Sequence, residues 1–256
     1  MKITCQVSEL LRDSLTNKAP LLILGAGFSL GSKNGKRQPI PTGTALANEL
    51  FNSLLVPKLA KNEIADYVQK QKNEDLKFVC DIIEDEDLTP KRNEFLTQRM
   101  KGCFVNEDDY HMLLKGYPWN YIFSLNIDDL TEFIYKNEKI AVQINEHPNN
   151  ERPALFKLHG SVLCPEYGYI FSSSEYRNFS ASERWSTTLF GTEFVRNDVI
   201  FLGTEFQEDD LLVILEKYFN MLEITKNHRY FFISPSIRNR SLNKKISKND
   251  DSANFR

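Results

Sequence analysis

The sequence predicts an α/β fold built on a doubly wound parallel sheet, and three observations predict it. First, short apolar runs without polar alternation recur at Leu21–Leu24, Tyr121–Leu125, Val199–Leu202 and Tyr230–Ile233. That is the pattern of strands buried on both faces. Second, stretches of helical periodicity separate these runs, as parallel strands require. Third, every extended run, including Ala154–Leu158, ends in a glycine or a small polar group. These ends are Gly25-Ala26-Gly27-Phe28-Ser29, Asn126-Ile127-Asp128, His159-Gly160-Ser161, Gly203-Thr204-Glu205 and Ser234-Pro235. Ligands of open parallel sheets bind just beyond the carboxyl ends of the strands.

Composition narrows the class. The chain has 256 residues, 41% of them hydrophobic and 26% charged, which suits a globular domain and neither a disordered nor a membrane-spanning chain. Lys and Arg number 32 against 35 Asp and Glu, a net charge of −3, so there is no overall drive toward nucleic acid. The longest apolar run, near Leu21–Phe28, is too short to cross a bilayer, and the amino terminus lacks the apolar core of a signal peptide. A soluble, cytoplasmic protein is the expectation, with no membrane partner and no direct nucleic-acid binding by this domain. The four cysteines, Cys5, Cys80, Cys103 and Cys164, include no CxxC pair. Neither a zinc knuckle nor a disulfide framework is therefore expected, nor any metal.

In chain order, Val7, Leu10, Leu11 and Leu15 mark an amphipathic lead-in helix over residues 1–18, closed by Ala19-Pro20. The first strand, Leu21–Leu24, follows. After the polar loop Gly31–Gln38, Thr42 or Thr44 is placed to cap a helix through Ala45, Leu46, Leu50 and Leu54. Helical patterning then continues to about Tyr117, so residues 31–116 read as an all-helical insert module within a core of 18–30 and 117–236. Beyond Tyr121–Leu125 come a short helix (Asp128–Tyr135), extended pieces near Ala141–Ile144 and Ala154–Leu158, and a hairpin or turn at 162–171. Two helices, the strand Val199–Leu202, a helix over Leu211–Leu222 and the strand Tyr230–Ile233 complete a domain spanning 1–242. Residues 243–256 read as a polar tail or the start of a linker.

The strand ends carry the candidate chemistry. Gly25-x-Gly27 suits either a turn that simply ends a strand or a close approach of backbone N–H groups to a diphosphate. The third glycine of a GxGxxG fingerprint is absent, because Leu30 stands there. Asn126 and Asp128 suit a turn or a helix cap as well as a site. His159, followed by Gly160, is expected to be exposed at the cleft mouth, where an imidazole can accept a proton near neutrality. A structural histidine in a turn is the alternative. His111, His147 and His228 read as structural.

Taken in order, GAGFS, IPT, SLNID, KLHGS and GTEF resemble the motif set of the sirtuin fold, a Rossmann-like domain with the runs GAGxS, IPDFR, TQNID, HG and GTS. The sequence also departs from that set. Between the HG and GTS motifs only Cys164 occurs, so the four-cysteine zinc ribbon of protein-deacylase sirtuins is absent. Thr42-Gly43-Thr44 replaces Asp-Phe-Arg, and Leu125 replaces the Gln of TQNID. With the long helical insert, these departures resemble the prokaryotic sirtuin-like domains of anti-phage defence, which hydrolyse NAD+.

The resemblance implies NAD+ as substrate and no metal. It implies that Gly25, Ala26, Gly27 and Ser29 hold the diphosphate with Phe28 in the same turn. By the same resemblance, Asn126 orients the nicotinamide ribose and the attacking water, Asp128 contacts the carboxamide and His159 acts as base. Gly203 and Thr204 are placed by the adenosine phosphate and ribose, Ser234 at the end of the last nucleotide-contacting strand, and Pro41 and Thr42 on the nicotinamide side. It further implies a homo-oligomer, or a sensor domain or subunit, as partner. An NAD-dependent protein deacylase and a non-catalytic nucleotide-binding domain are the other readings.

Overall fold

The computed structural model describes residues 5–63, 66, 75–136, 142–143, 153–181, 185–204 and 228–233. The predicted helix at Leu211–Leu222, the predicted site residue Ser234 and the tail from residue 243 lie outside them.

Six strands form one sheet: β1 (Leu21–Leu24), β2 (Tyr121–Ser124), β3 (Val142–Gln143), β4 (Ala154–Lys157), β5 (Val199–Leu202) and β6 (Tyr230–Ile233). Their spatial order is β3-β4-β2-β1-β5-β6, and every neighbouring pair is parallel. Register centres on β1, where Leu22 pairs with Ile122 on one side and Ile200 on the other. All four residues of β1 are buried, which explains why its sequence does not alternate.

The strands divide their side chains between two faces. Leu22, Leu24, Ile122, Leu155 and Ile200 point to one face, and Leu21, Ile23, Phe123, Phe156, Val199 and Phe201 to the other. Helices cover both, which makes the sheet doubly wound. The first face receives α2 (Gly43–Leu50), α3 (Leu76–Asp85) and α4 (Thr89–Met100) through Leu46, Leu50, Val79, Ile83 and Leu96. It also receives the short α5 (Leu130–Ile134), and Leu11 and Leu15 of α1 (Cys5–Asn17) pack against the same cluster. The second face receives α6 (Ser173–Ala181) and α7 (Trp185–Arg196) through Phe179, Phe190 and Phe194. The helices between residues 43 and 100 thus share one apolar cluster with the first face of the sheet.

Local chemistry sets the helix starts. The Thr42 hydroxyl accepts from Ala45 N at 3.2 Å and caps α2, and the Asp75 carboxylate caps α3. A single π-turn, Phe51–Leu55, extends α2. The insert is not purely helical: Lys33 makes antiparallel bridges to Pro39 and Phe104. Residues 162–171 hold a 3₁₀ turn, Pro165–Tyr167, and no strand.

At the amino-terminal end of the strands, buried Asp198 draws in Lys18 (3.5 Å), Arg229 (3.6 Å) and His228 (3.8 Å). Arg229 also bonds Asp13 and the Leu10 carbonyl, which ties α1 to β6. His228 is thereby structural, as its sequence setting suggests. Among the described residues, no helix is long and apolar enough to cross a membrane.

Candidate functional site

The chain leaves β1 toward β2 and β4 on one side and returns to β5 and β6 on the other. The carboxyl ends of β1 and β5 therefore frame the point where strand order reverses, the place where such sheets open a crevice. Backbones interlock there. Gly25 N donates to Leu202 O (3.0 Å) and Gly27 N to Gly203 O (2.8 Å). A Cβ on Gly25 or Gly27 would lie 2.7 or 2.8 Å from Gly203 O. Gly203 itself has φ +73°, and a Cβ on it would stand 2.2 Å from Phe28 N. All three glycines are required by this contact.

The contact also bears on the diphosphate seat inferred from Gly25-x-Gly27. Phe28 N donates to Gly25 O and Ser29 N to Ala26 O, so the N–H groups of 25, 27, 28 and 29 are engaged within the protein. Ala26 is the exposed residue of the turn. Phe28 turns its ring into the core and meets His111 edge-on.

Beside this turn, the end of β2 supplies a buried polar network. Asn126 Nδ2 donates to Gly25 O (2.9 Å) and to Ser29 Oγ (3.0 Å). Ser29 Oγ donates in turn to Asp128 Oδ2 (2.7 Å), and Asp128 Oδ1 accepts from Leu130 N (3.0 Å), the first residue of α5. Gly25 O can only accept, so the Asn126 amide has one possible orientation. Both of its protons are engaged, and Oδ1 remains as its available acceptor. Asp128 thus acts both as partner to α5 and as member of the site.

His159 follows β4, the neighbour of β2, and the two strand ends are joined by Leu158 N to Ser124 O (2.8 Å) and Val162 N to Ile127 O (2.9 Å). The expectation of an exposed imidazole is corrected: His159 is only 3% exposed. The cause is α6, whose Tyr176 and Phe179 set their rings edge-on against the imidazole at 5.5 and 6.4 Å.

Helix α6 is anchored to the insert. Ser173 N donates to Asp81 (2.6 Å), and the Ser173 and Ser174 hydroxyls bond Asp81 and Glu84 of α3. Arg92 of α4, fully buried, forks onto Glu175 at 2.6 and 3.1 Å. The glycine of the HG motif, Gly160, sits at φ +94° with Gly168 O packed against it.

Thr204 lies at the end of β5 beside Gly25, and its hydroxyl is buried with no partner among the described residues. Pro41 and Thr42 stand at the start of α2, where the Thr42 hydroxyl serves as helix cap. Among the described residues, no group of three His, Cys, Asp or Glu side chains could hold a metal.

Sequence reasoning missed Lys157. Its side chain points inward beside the site, with Nζ bonded to the Asp128 carbonyl and 3.3 Å from the Glu132 carboxylate. Burial pushes the Glu132 carboxyl above its ordinary range, against the pull of Lys157. The signal was available: Lys157 shares the parity of Leu155, a core position.

The fold is thus a doubly wound parallel α/β sheet with a glycine interlock at its switch point and a buried Ser-Asn-Asp network beside it. The family model of the SIR2-like domain matches residues 120–252, just over half of the chain, and the chain belongs to that family. Domains of this family typically bind NAD+ and act as NAD-dependent enzymes. No curated protein matches the chain.

Proposed function

We propose that the chain is an NAD+ glycohydrolase, which cleaves the nicotinamide–ribose bond to give nicotinamide and ADP-ribose and serves anti-phage defence by depleting NAD+. The observation that carries this reading is the orientation of Asn126. Gly25 O and Ser29 Oγ take both amide protons, so Oδ1 is left to hold a water or a ribose hydroxyl. The Thr204 hydroxyl, buried beside the interlocked glycines and without a partner among the described residues, gives a polar ligand a second point of attachment.

The bond to be broken joins ribose C1′ to a cationic pyridinium. Its electron pair leaves with the ring, so nicotinamide departs neutral and needs little acid assistance. The barrier lies in the oxocarbenium-like cation that remains, as in other glycoside cleavages. A carbonyl dipole such as Asn126 Oδ1 stabilises that cation without adding a competing positive charge. Water adds its oxygen to C1′, and His159 takes its proton directly or through a ribose hydroxyl, a contribution of about 10²–10⁴-fold. The burial of His159 against Tyr176 and Phe179 fixes its ring for that task.

Chromatography of NAD+ after incubation with the protein is the direct test. Nicotinamide and ADP-ribose are expected, and Asn126→Ala and His159→Ala should each abolish their release from a folded protein. Wild-type turnover in either variant refutes the assignment. Release that requires an acetylated peptide favours a deacylase. That outcome is not expected, because the interval between His159 and Gly203 holds one cysteine where a zinc ribbon needs four. Binding of NAD+ without products favours a non-catalytic nucleotide domain. The defence role, a cytoplasmic location and a homo-oligomer or sensor partner belong to the same proposal. They are tested by cellular NAD+ levels during phage infection, with and without the neighbouring gene products.

A further inference from the structure

His111 lies on the 3₁₀ segment Tyr110–Gly116, which precedes β2. It is buried, and both of its ring nitrogens meet oxygen. Nδ1 stands 2.5 Å from Asp109 Oδ1, and Nε2 stands 2.7 Å from the backbone carbonyl of Phe28. A carbonyl oxygen can only accept, so Nε2 must carry a proton. The Asp109 carboxylate also only accepts when ionised, and its hydrogen bond with His111 holds it below the ordinary carboxylate range. Asp109 thus fixes the ring from its other end.

The Tyr110 ring stacks on the imidazole with centroids 4.0 Å apart. The Phe28 ring meets the imidazole at an interplanar angle of 72°, and a Cβ built on Gly31 would lie 3.9 Å from its Cε1. Asp109 and Tyr110 are the ionisable groups in these contacts.

The same segment grips the glycine turn twice. His111 holds the carbonyl of Phe28, and the Tyr110 hydroxyl donates to the carbonyl of Leu30 at 3.1 Å. Ser29 lies between these two residues, and its hydroxyl is the link between Asn126 and Asp128. We infer that His111 is a positioning residue, holding the Phe28 carbonyl through Nε2 so that Ser29 keeps the Asn126 amide aimed at the substrate. What the aimed amide then does rests on the NAD+-cleaving reading above. The clamp itself does not.

The test uses the whole chain and two kinds of readout. Nitrogen-15 NMR of the histidine rings should show Nε2 of His111 carrying the proton given to the Phe28 carbonyl. The side-chain amide signal of Asn126 should shift in His111→Ala and in Asp109→Asn. It should return toward its wild-type position in His111→Gln, because glutamine Nε2 reaches the place of histidine Nε2 and donates to Phe28 O.

Asp109→Asn keeps the cap on His111 N (3.2 Å) but removes the negative charge, so it separates clamp from fold. In nicotinamide release, kcat should fall roughly 10- to 100-fold in His111→Ala and Asp109→Asn, the scale of a misplaced reacting group. It should recover partly in His111→Gln, with the melting transition still cooperative. A His111 Nε2 without a proton, or an Asn126 amide signal unmoved in His111→Ala, overturns the inference. A wild-type chain that releases no nicotinamide refutes the proposed function, while the two NMR readouts still decide the clamp.

Discussion

Gly203→Ala is the sharpest probe of how the site is assembled. Residue 203 has φ +73°, and alanine there costs about 1–2 kcal/mol from backbone sterics alone. The new methyl would also lie 2.2 Å from Phe28 N and 2.6 Å from the Gly27 carbonyl carbon, where ordinary contact begins at 3.4 Å. The shortfall of 3.4 − 2.2 = 1.2 Å falls on backbone and not on a flexible side chain, so one strand end must move away from the other. Overpacking of this kind costs about 1–3 kcal/mol. The sum is about 2–5 kcal/mol, a large share of the 5–15 kcal/mol that ordinarily separates folded from unfolded protein. At roughly 2–4 °C per kcal/mol for a chain of this size, the melting temperature should drop by about 4–20 °C.

Gly43→Ala is the control. A Cβ there meets nothing within 4 Å, and the residue opens α2, so stability should hold or rise by up to about 1 kcal/mol. Thermal and urea unfolding of the two variants decide the matter. A Gly203→Ala protein within about 0.5 kcal/mol of wild type would refute the interlock.

Two further predictions concern stability. Arg92→Ala strands the Glu175 carboxylate beside a vacated pocket. A broken buried pair costs about 3–5 kcal/mol, and because Glu175 keeps 21% exposure the lower value, about 3 kcal/mol, applies. The melting temperature should fall by roughly 6–12 °C, and Arg92→Lys should rescue little because the two-pronged contact needs a planar fork. Acid should also unfold the chain in a defined window. Asn17 and then Arg229 hold Asp13 below its ordinary value, Ser172 and Ser174 do the same for Glu84, and His111 does so for Asp109. The unfolded chain binds protons more readily than these three groups do when folded, so stability rises with pH across their titration and is lost as pH falls through their folded values. Glu132, raised by burial, works in the opposite sense. Melting temperature should decline as pH falls below about 5, with a shallower decline in Asp13→Asn.

Much of the fold was legible because the strands are short, fully buried and punctuated. β1, β2, β4, β5 and β6 stand where unalternating apolar runs end in small residues, and Thr42 caps α2 as its place before the helix suggested. The candidate site was legible only as positions. Pattern reading located Gly25, Asn126, Asp128, His159 and Gly203 at strand ends, but partnership is a property of space. That Ser29 bonds both Asn126 and Asp128, across 97 and 99 residues, has no local signature. His159 was expected at an open mouth because nothing in its own motif announces Tyr176 and Phe179, which belong to a later helix. His111 read as structural for the same reason: its partner is a backbone carbonyl 83 residues away, and every residue type has one of those.

The placement of β1 has a practical consequence. The stretch that matches the SIR2-like family begins at residue 120, whereas β1 and the glycine turn lie ahead of it. A polypeptide trimmed to that stretch would be missing the middle rung of its sheet. β2 and β5 would face each other across a slot one strand wide, each with a row of unmet N–H and C=O groups. Such a fragment would aggregate, or would wait for a donated segment carrying Leu21–Ser29. Complementation by an added peptide would then restore sheet and site in the same event.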